Sequence, residues 1–82
     1  MKKVFDKVYV VERTKIVECR IKEVIQQEEK TFYGLISRDY DLSFPVRKAD
    51  KVFDTPQQAL EYIIKKVHQD NKKILGEQSN EN

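Results

Sequence analysis

The sequence predicts an α+β domain: a small antiparallel sheet followed by one C-terminal amphipathic helix. Val-, Ile- and Tyr-rich runs alternate up to Phe53, and apolar residues recur at helical spacing after Pro56. Between the two regions lies a helix-start signal, Phe53-Asp54-Thr55-Pro56-Gln57-Gln58-Ala59-Leu60. Thr55 is the expected N-cap, its hydroxyl accepting a bond from a first-turn amide. Pro56 falls at the first helical position, where a missing N–H costs nothing. Gln58, three residues past Thr55, completes a capping box.

Each element follows from local pattern. Phe5 to Glu12 reads as the first strand, with Val8 and Val10 on one side and Tyr9 and Val11 on the other, so both faces are expected to be covered. Glu12-Arg13-Thr14-Lys15 lacks Gly and is expected to form a four-residue loop rather than a tight primed turn. Ile16 to Gln26 alternates, placing Val17, Cys19, Ile21 and Ile25 on one face. Glu23 and Val24 break that alternation and predict a bulge or bend near Lys22–Val24. Gln26 to Lys30 is a solvated hairpin loop, and Thr31 to Ser37 is the third strand, in which Gly34 marks a kink or a close backbone approach. Arg38 to Asp41 forms a turn. Leu42 to Arg47 is a short fourth strand that Pro45 confines to an edge or a bulge, and Lys51-Val52-Phe53 supplies one more bridge.

The helix is expected over 56–75. Ala59, Leu60, Ile63, Ile64, Val67, Ile74 and Leu75 form its apolar stripe. Gly76 is a natural residue to end it, leaving 77–82 as an expected disordered tail outside a single domain, 1–76. Four or five consecutive strands and one helix are met most simply by an SH3-like barrel with the helix packed on its open side or end. The second choice is a flat four-stranded meander with the helix across one face.

Composition narrows the function classes. The chain has 82 residues, 37% charged and 39% hydrophobic, with a net charge of +2. Periodic β-branched and aromatic residues separate it from disordered chains. Residues 1–53 carry twelve basic and nine acidic side chains, and 54–82 carry four and five, so the strand region is only mildly basic. Cys19 is the only cysteine, so no intrachain disulfide forms, and a reducing, cytoplasmic location is expected. No apolar run follows Lys2 and Lys3 and no stretch reaches membrane-spanning length, so neither a signal peptide nor a membrane partner is expected.

Chemistry-bearing residues are sparse. Cys19 and His68 fall on different elements and do not make up the four ligands of a structural zinc site. As a nucleophile–base dyad they lack a third orienting group. Cys19 is expected in the core, and His68, beside the helix stripe, at its boundary or on the surface. Glu28-Glu29 and Asp39/Asp41 sit in turns, where solvent keeps carboxylates ordinary. Two glycines exclude a Gly-rich phosphate loop. No cofactor, no metal and no enzyme activity are expected.

The stretch Val52, Phe53, Thr55 and Ala59 resembles small, uncharacterised SH3-like β-domain proteins of Gram-positive bacteria and their phages. In those proteins a short β domain ends in a "vFxTxxEA" helix start, and Gln58 stands here in place of the usual Glu. The resemblance is specific over about eight residues. It implies an SH3-like fold and a mobile-element origin, and brings no catalytic residue.

The expected function is therefore a non-enzymatic protein-interaction module, phage- or mobile-element-encoded, that modulates or inhibits a host factor. Arg38, Tyr40, Phe44, Arg47 and Lys48 are its candidate binding residues, in the turn and edge strand before the helix. Ile74 and Leu75 are candidates for homodimer contact, because a helix of about 20 residues is ~30 Å long and outreaches a small barrel. The alternative is a small RNA- or DNA-binding β domain using the same Arg38–Lys48 surface.

Overall fold

The computed structural model describes residues 2–80, with side chains described through Lys72. Four strands form one antiparallel sheet in chain order: β1 (Lys7–Glu12), β2 (Lys15–Gln27), β3 (Lys30–Ile36) and β4 (Val46–Lys48). A 3₁₀ turn (Ala49–Lys51) and the helix α1 (Pro56–Asn80) follow. The sheet curls into a half-barrel, because Phe53 returns to the free edge of β1. Tyr9 N–H donates to Phe53 O at 2.8 Å and Phe53 N–H to Tyr9 O at 2.9 Å.

Alternation decides what enters the core. Val8 and Val10 of β1, Val17, Cys19 and Ile21 of β2, and Tyr33 and Leu35 of β3 are buried together with Val52. Tyr40, Leu42 and Ala49 pack against this cluster from outside the strands. Ala59 is also fully buried but stands apart from the cluster. The helix thus covers a second face, where Val11 lines a cleft with Tyr62, Ile63 and Val67. Both sides of β1 are in use, as its unbroken apolar run predicts.

The expected irregularity in β2 is a register shift between Ile21 and Glu23. It places Glu23 opposite Gly34, and a Cβ on Gly34 would lie 2.6 Å from Glu23 Cγ. Any larger residue at position 34 would oblige the exposed Glu23 side chain to move aside.

Four expectations are corrected. The first hairpin is tight: Glu12 pairs with Lys15, and Arg13 at φ 59° begins a two-residue loop. The second repeats it, Gln27 pairing with Lys30 and Glu28 lying at φ 55°, so Gln26, Gln27 and Lys30 belong to strands. A left-handed φ suits the twist of a two-residue hairpin loop, and here pairing on both sides of the turn overrides the missing glycine. The fourth strand shrinks to Val46–Lys48, because Pro45 has no N–H to donate; its carbonyl still accepts from Leu35 N–H at 2.7 Å. Finally, α1 continues to Asn80 past Gly76. Glycine costs a helix interior about 1 kcal/mol relative to alanine, which does not by itself end one.

The helix start is as predicted. Thr55 Oγ1 accepts from Gln58 N–H at 3.1 Å. Gln58 Oε1 accepts at 3.0 Å from Asp54 N–H, one residue before the usual capping-box donor.

The left-handed loop residues carry strain that a better-suited side chain relieves. Replacing Glu28 by Asn, which tolerates this conformation, is expected to raise unfolding stability by about 0.5–1 kcal/mol. A urea midpoint that does not rise would show that Glu28 is not held at positive φ.

Candidate interaction surface

The five residues expected to bind a partner divide into two groups. Arg38, Phe44 and Lys48 are exposed, Phe44 at 70%. Tyr40 is half-buried against the core, with Lys15 Nζ 5.4 Å from its ring centre. Arg47 differs from the exposed residues: its guanidinium turns inward to Glu12, a carboxylate buried at the end of β1.

Arg47 uses all three nitrogens. Nε donates to Phe44 O at 2.7 Å, one terminal nitrogen donates to Val11 O at 3.1 Å, and the other is bonded to the Glu12 carboxylate. The same carboxylate oxygen accepts from Ser43 N–H at 3.3 Å. A buried carboxylate requires a paired cation and hydrogen bonds, because desolvating a lone charge costs several kcal/mol. That demand claims Arg47 for the fold.

Cys19 lies inside the half-barrel, its Sγ donating weakly to Val17 O at 3.7 Å. Burial pushes its thiol up to about 11, opposite to the lowered value of a nucleophilic cysteine. His68 is exposed on α1. The core and surface placements expected of the two residues are those observed.

The side chains the fold does gather lie around α1. Among the described side chains, its exposed large apolar residues are Leu60 (41%), Ile64 (59%) and Val67 (49%), at i, i+4 and i+7. At 100° per residue they point to one flank of the helix, beside the face that buries Ala59 and half-buries Ile63. On the opposite flank, Tyr62 stacks tilted on Phe53, ring centres 5.4 Å apart, and Lys51 Nζ sits 4.6 Å above the Tyr62 ring while donating to its hydroxyl at 3.1 Å. Arg13, Lys51, Lys65 and Lys66 line the clefts around that pair.

The Leu60–Ile64–Val67 flank falls within the expected apolar stripe but was assigned to the sheet. The Tyr62 flank was missed, since its residues come from four segments with no sequence spacing in common. Ile74 and Leu75 lie outside the described side chains. No family model, curated protein or solved structure matches the chain.

Two measurements check these placements. Glu12→Gln and Arg47→Met are each expected to cost about 3 kcal/mol by leaving a buried partner uncompensated, while the double variant loses far less than the sum. Additive losses in a double-mutant cycle would show that the two groups do not interact. Cys19 is an acid whose folded value lies above its unfolded one, so its contribution is undiminished below pH 9 and declines as pH rises from 9 to 11. The chain is expected to lose at most about 2–3 kcal/mol over that window relative to Cys19→Ala. Parallel pH–stability curves would place the thiol in water.

Proposed function

We propose that this chain is a non-enzymatic protein-interaction module that offers one flank of its helix to a hydrophobic groove on another protein. The observation that carries this reading is the uncovered row Leu60, Ile64 and Val67 on a helix that outreaches its sheet. Such i, i+4, i+7 anchors are the means by which an amphipathic helix binds a groove.

Magnitudes favour a foreign partner over a second copy. The 25-residue helix is ~37 Å long, and the radius of gyration is 15.5 Å against roughly 12 Å for a compact chain of this length. The helix therefore projects, as a ligand for a groove must. Three side chains in a row fall well short of the ~800 Å² per partner that a standard interface needs. A groove that wraps the helix gathers the rest from both sides, whereas a flat pairing of two such rows does not.

Finer aspects of the reading follow the same evidence. The 3₁₀ turn before the Phe53 bridge supports an SH3-like arrangement, with Phe53 as a vestigial fifth strand. No described helix is long and apolar enough to cross a membrane. The single buried thiol supports a reducing, cytoplasmic setting. A non-enzymatic role is supported by the raised Cys19 thiol and by His68 lying exposed on another element. Modulation of a host factor by a phage- or mobile-element protein is the biological form we assign to this binding, the mechanism being occlusion of the groove.

The triple variant Leu60→Ser/Ile64→Ser/Val67→Ser is expected to keep the wild-type far-UV spectrum and melting midpoint within a few degrees, since it empties no buried site. In affinity capture from a bacterial lysate it is expected to lose the partner that the wild-type chain recovers reproducibly. Retention of that partner by the triple variant would refute the assigned flank. A concentration-dependent dimer by light scattering, abolished by the same variant, would overturn the foreign-partner reading in favour of self-association.

A further inference from the structure

The opposite flank of α1 has a different chemistry. Three adjoining clefts of about 250, 240 and 400 Å³ share Tyr62 and Lys66 as lining residues. The middle one is walled by Val11, Arg13, Arg47, Lys51, Phe53, Tyr62 and Lys66. Arg47 is neutralised by Glu12, but among the described residues no carboxylate lies within ion-pair distance of Arg13, Lys51, Lys65 or Lys66. Of the residues lining the three clefts, Asp70 carries the carboxylate, and it lines the outer two rather than the middle one.

We propose that this flank is a binding surface for single-stranded nucleic acid, independent of the apolar flank. Its cations converge from the β1–β2 turn (Arg13), the 3₁₀ turn (Lys51) and the helix (Lys65, Lys66), so they border a track rather than mark a point. A track of positive charge follows a phosphodiester backbone. The Phe53–Tyr62 pair lies inside that track with Lys51 Nζ over the Tyr62 ring; an unpaired base stacks there by displacing the ammonium, which is then free for a neighbouring phosphate. An acidic peptide satisfies the cations equally, but its Asp and Glu side chains offer no large π-face to stack on the rings, so the aromatic pair favours nucleic acid. The duplex alternative is disfavoured because paired bases do not present their faces to a side-chain ring. The Arg38–Lys48 segment expected from sequence is not part of this surface, apart from Arg47 beneath it.

Polarisation with labelled, mixed-sequence DNA and RNA single strands of about twelve nucleotides, within the range one small β domain covers, tests the assignment. With three phosphates neutralised, raising salt from ~50 to ~200 mM is expected to weaken binding about 20-fold. Lys51→Glu/Lys66→Glu, confirmed folded by its melting curve, is expected to lose at least tenfold at the lower salt. Tyr62→Leu, which keeps apolar bulk against Phe53, is expected to weaken binding several-fold without changing the salt slope. Leu60→Ser/Ile64→Ser and Arg38→Glu/Lys48→Glu, none of whose residues lines the three clefts, are expected to bind as the wild type does, which separates this surface from the one proposed above. Absence of binding at ~50 mM salt, at which phosphate contacts are strong, would overturn the proposal. So would indifference to the Lys51/Lys66 reversal, or displacement by polyglutamate as effective as that by unlabelled single strands.

Discussion

The buried Glu12–Arg47 pair ties β4 to the end of β1. A half-barrel has two unpaired margins, here β1 and β4, and backbone pairing within a meander does not join them. Arg47 reaches from β4 to the end of β1 and satisfies Val11 O, Phe44 O and the Glu12 carboxylate at once. With Ser43 N–H on the same carboxylate oxygen, the connection between β3 and β4 is fastened at its far end. The pair thus holds the Phe44 carbonyl on the Arg47 guanidinium, while the Phe44 ring remains in water. A buried ion pair is weak evidence for net stability against an apolar substitute. Its contribution here is geometric, because no aliphatic pair would bind three backbone groups in fixed directions.

Closure then dictates where the helix can go. Once Phe53 is bonded to Tyr9 on the free edge of β1, only Asp54 and Thr55 separate the sheet from the first helical residue. That short tether, with the Thr55 cap, brings Ala59 into a fully buried position and Ile63 into a half-buried one. The next sheet-facing positions at helical spacing are Lys66 and Asp70, both exposed. The described contacts hold the helix by its first two turns, and the next underside positions, Lys66 and Asp70, are polar and exposed. Sheet size is the physical reason: β1 has six residues, and its end at Glu12 gives the later turns nothing apolar to lie on.

Local chemistry made the strands, the bulge at Lys22–Val24, the Gly34 approach, the extra bridge at Phe53 and the Thr55–Pro56 start legible in the sequence. Each is written in neighbouring residues: broken alternation, a glycine in a strand, a capping side chain at fixed spacing. The hairpin loops were misjudged because Arg13 and Glu28 adopt left-handed backbone under tertiary pairing, which no local preference announces. The inward turn of Arg47 was hidden for a related reason. A lone arginine in an edge strand looks solvated until the fold places a buried carboxylate beside it, and Glu12 and Arg47 are 35 positions apart. The apolar stripe on α1 was legible as a stripe, but its width did not reveal that only its Ala59–Ile63 edge meets the sheet.

That division of the helix surface has a functional consequence. Around the axis, the sheet-facing direction through Ala59 and Ile63 has Val67, Leu60 and Ile64 to one side and Tyr62, Lys66 and Lys65 to the other, the two flanks roughly 180° apart. One flank is apolar, and its burial depends little on salt; the other is cationic and aromatic, so anion binding there weakens as salt rises. Occupants on opposite sides of a rod do not collide, so one partner can be held without displacing the other. The exposed members of both flanks, Leu60 and Ile64 on one side and Lys65 and Lys66 on the other, contribute little burial to folding, whereas Tyr62 is half-buried against Phe53. Exposed residues of both flanks can therefore be changed without loss of the fold, and a stable domain that has lost one binding partner while keeping the other is the physical signature of this arrangement.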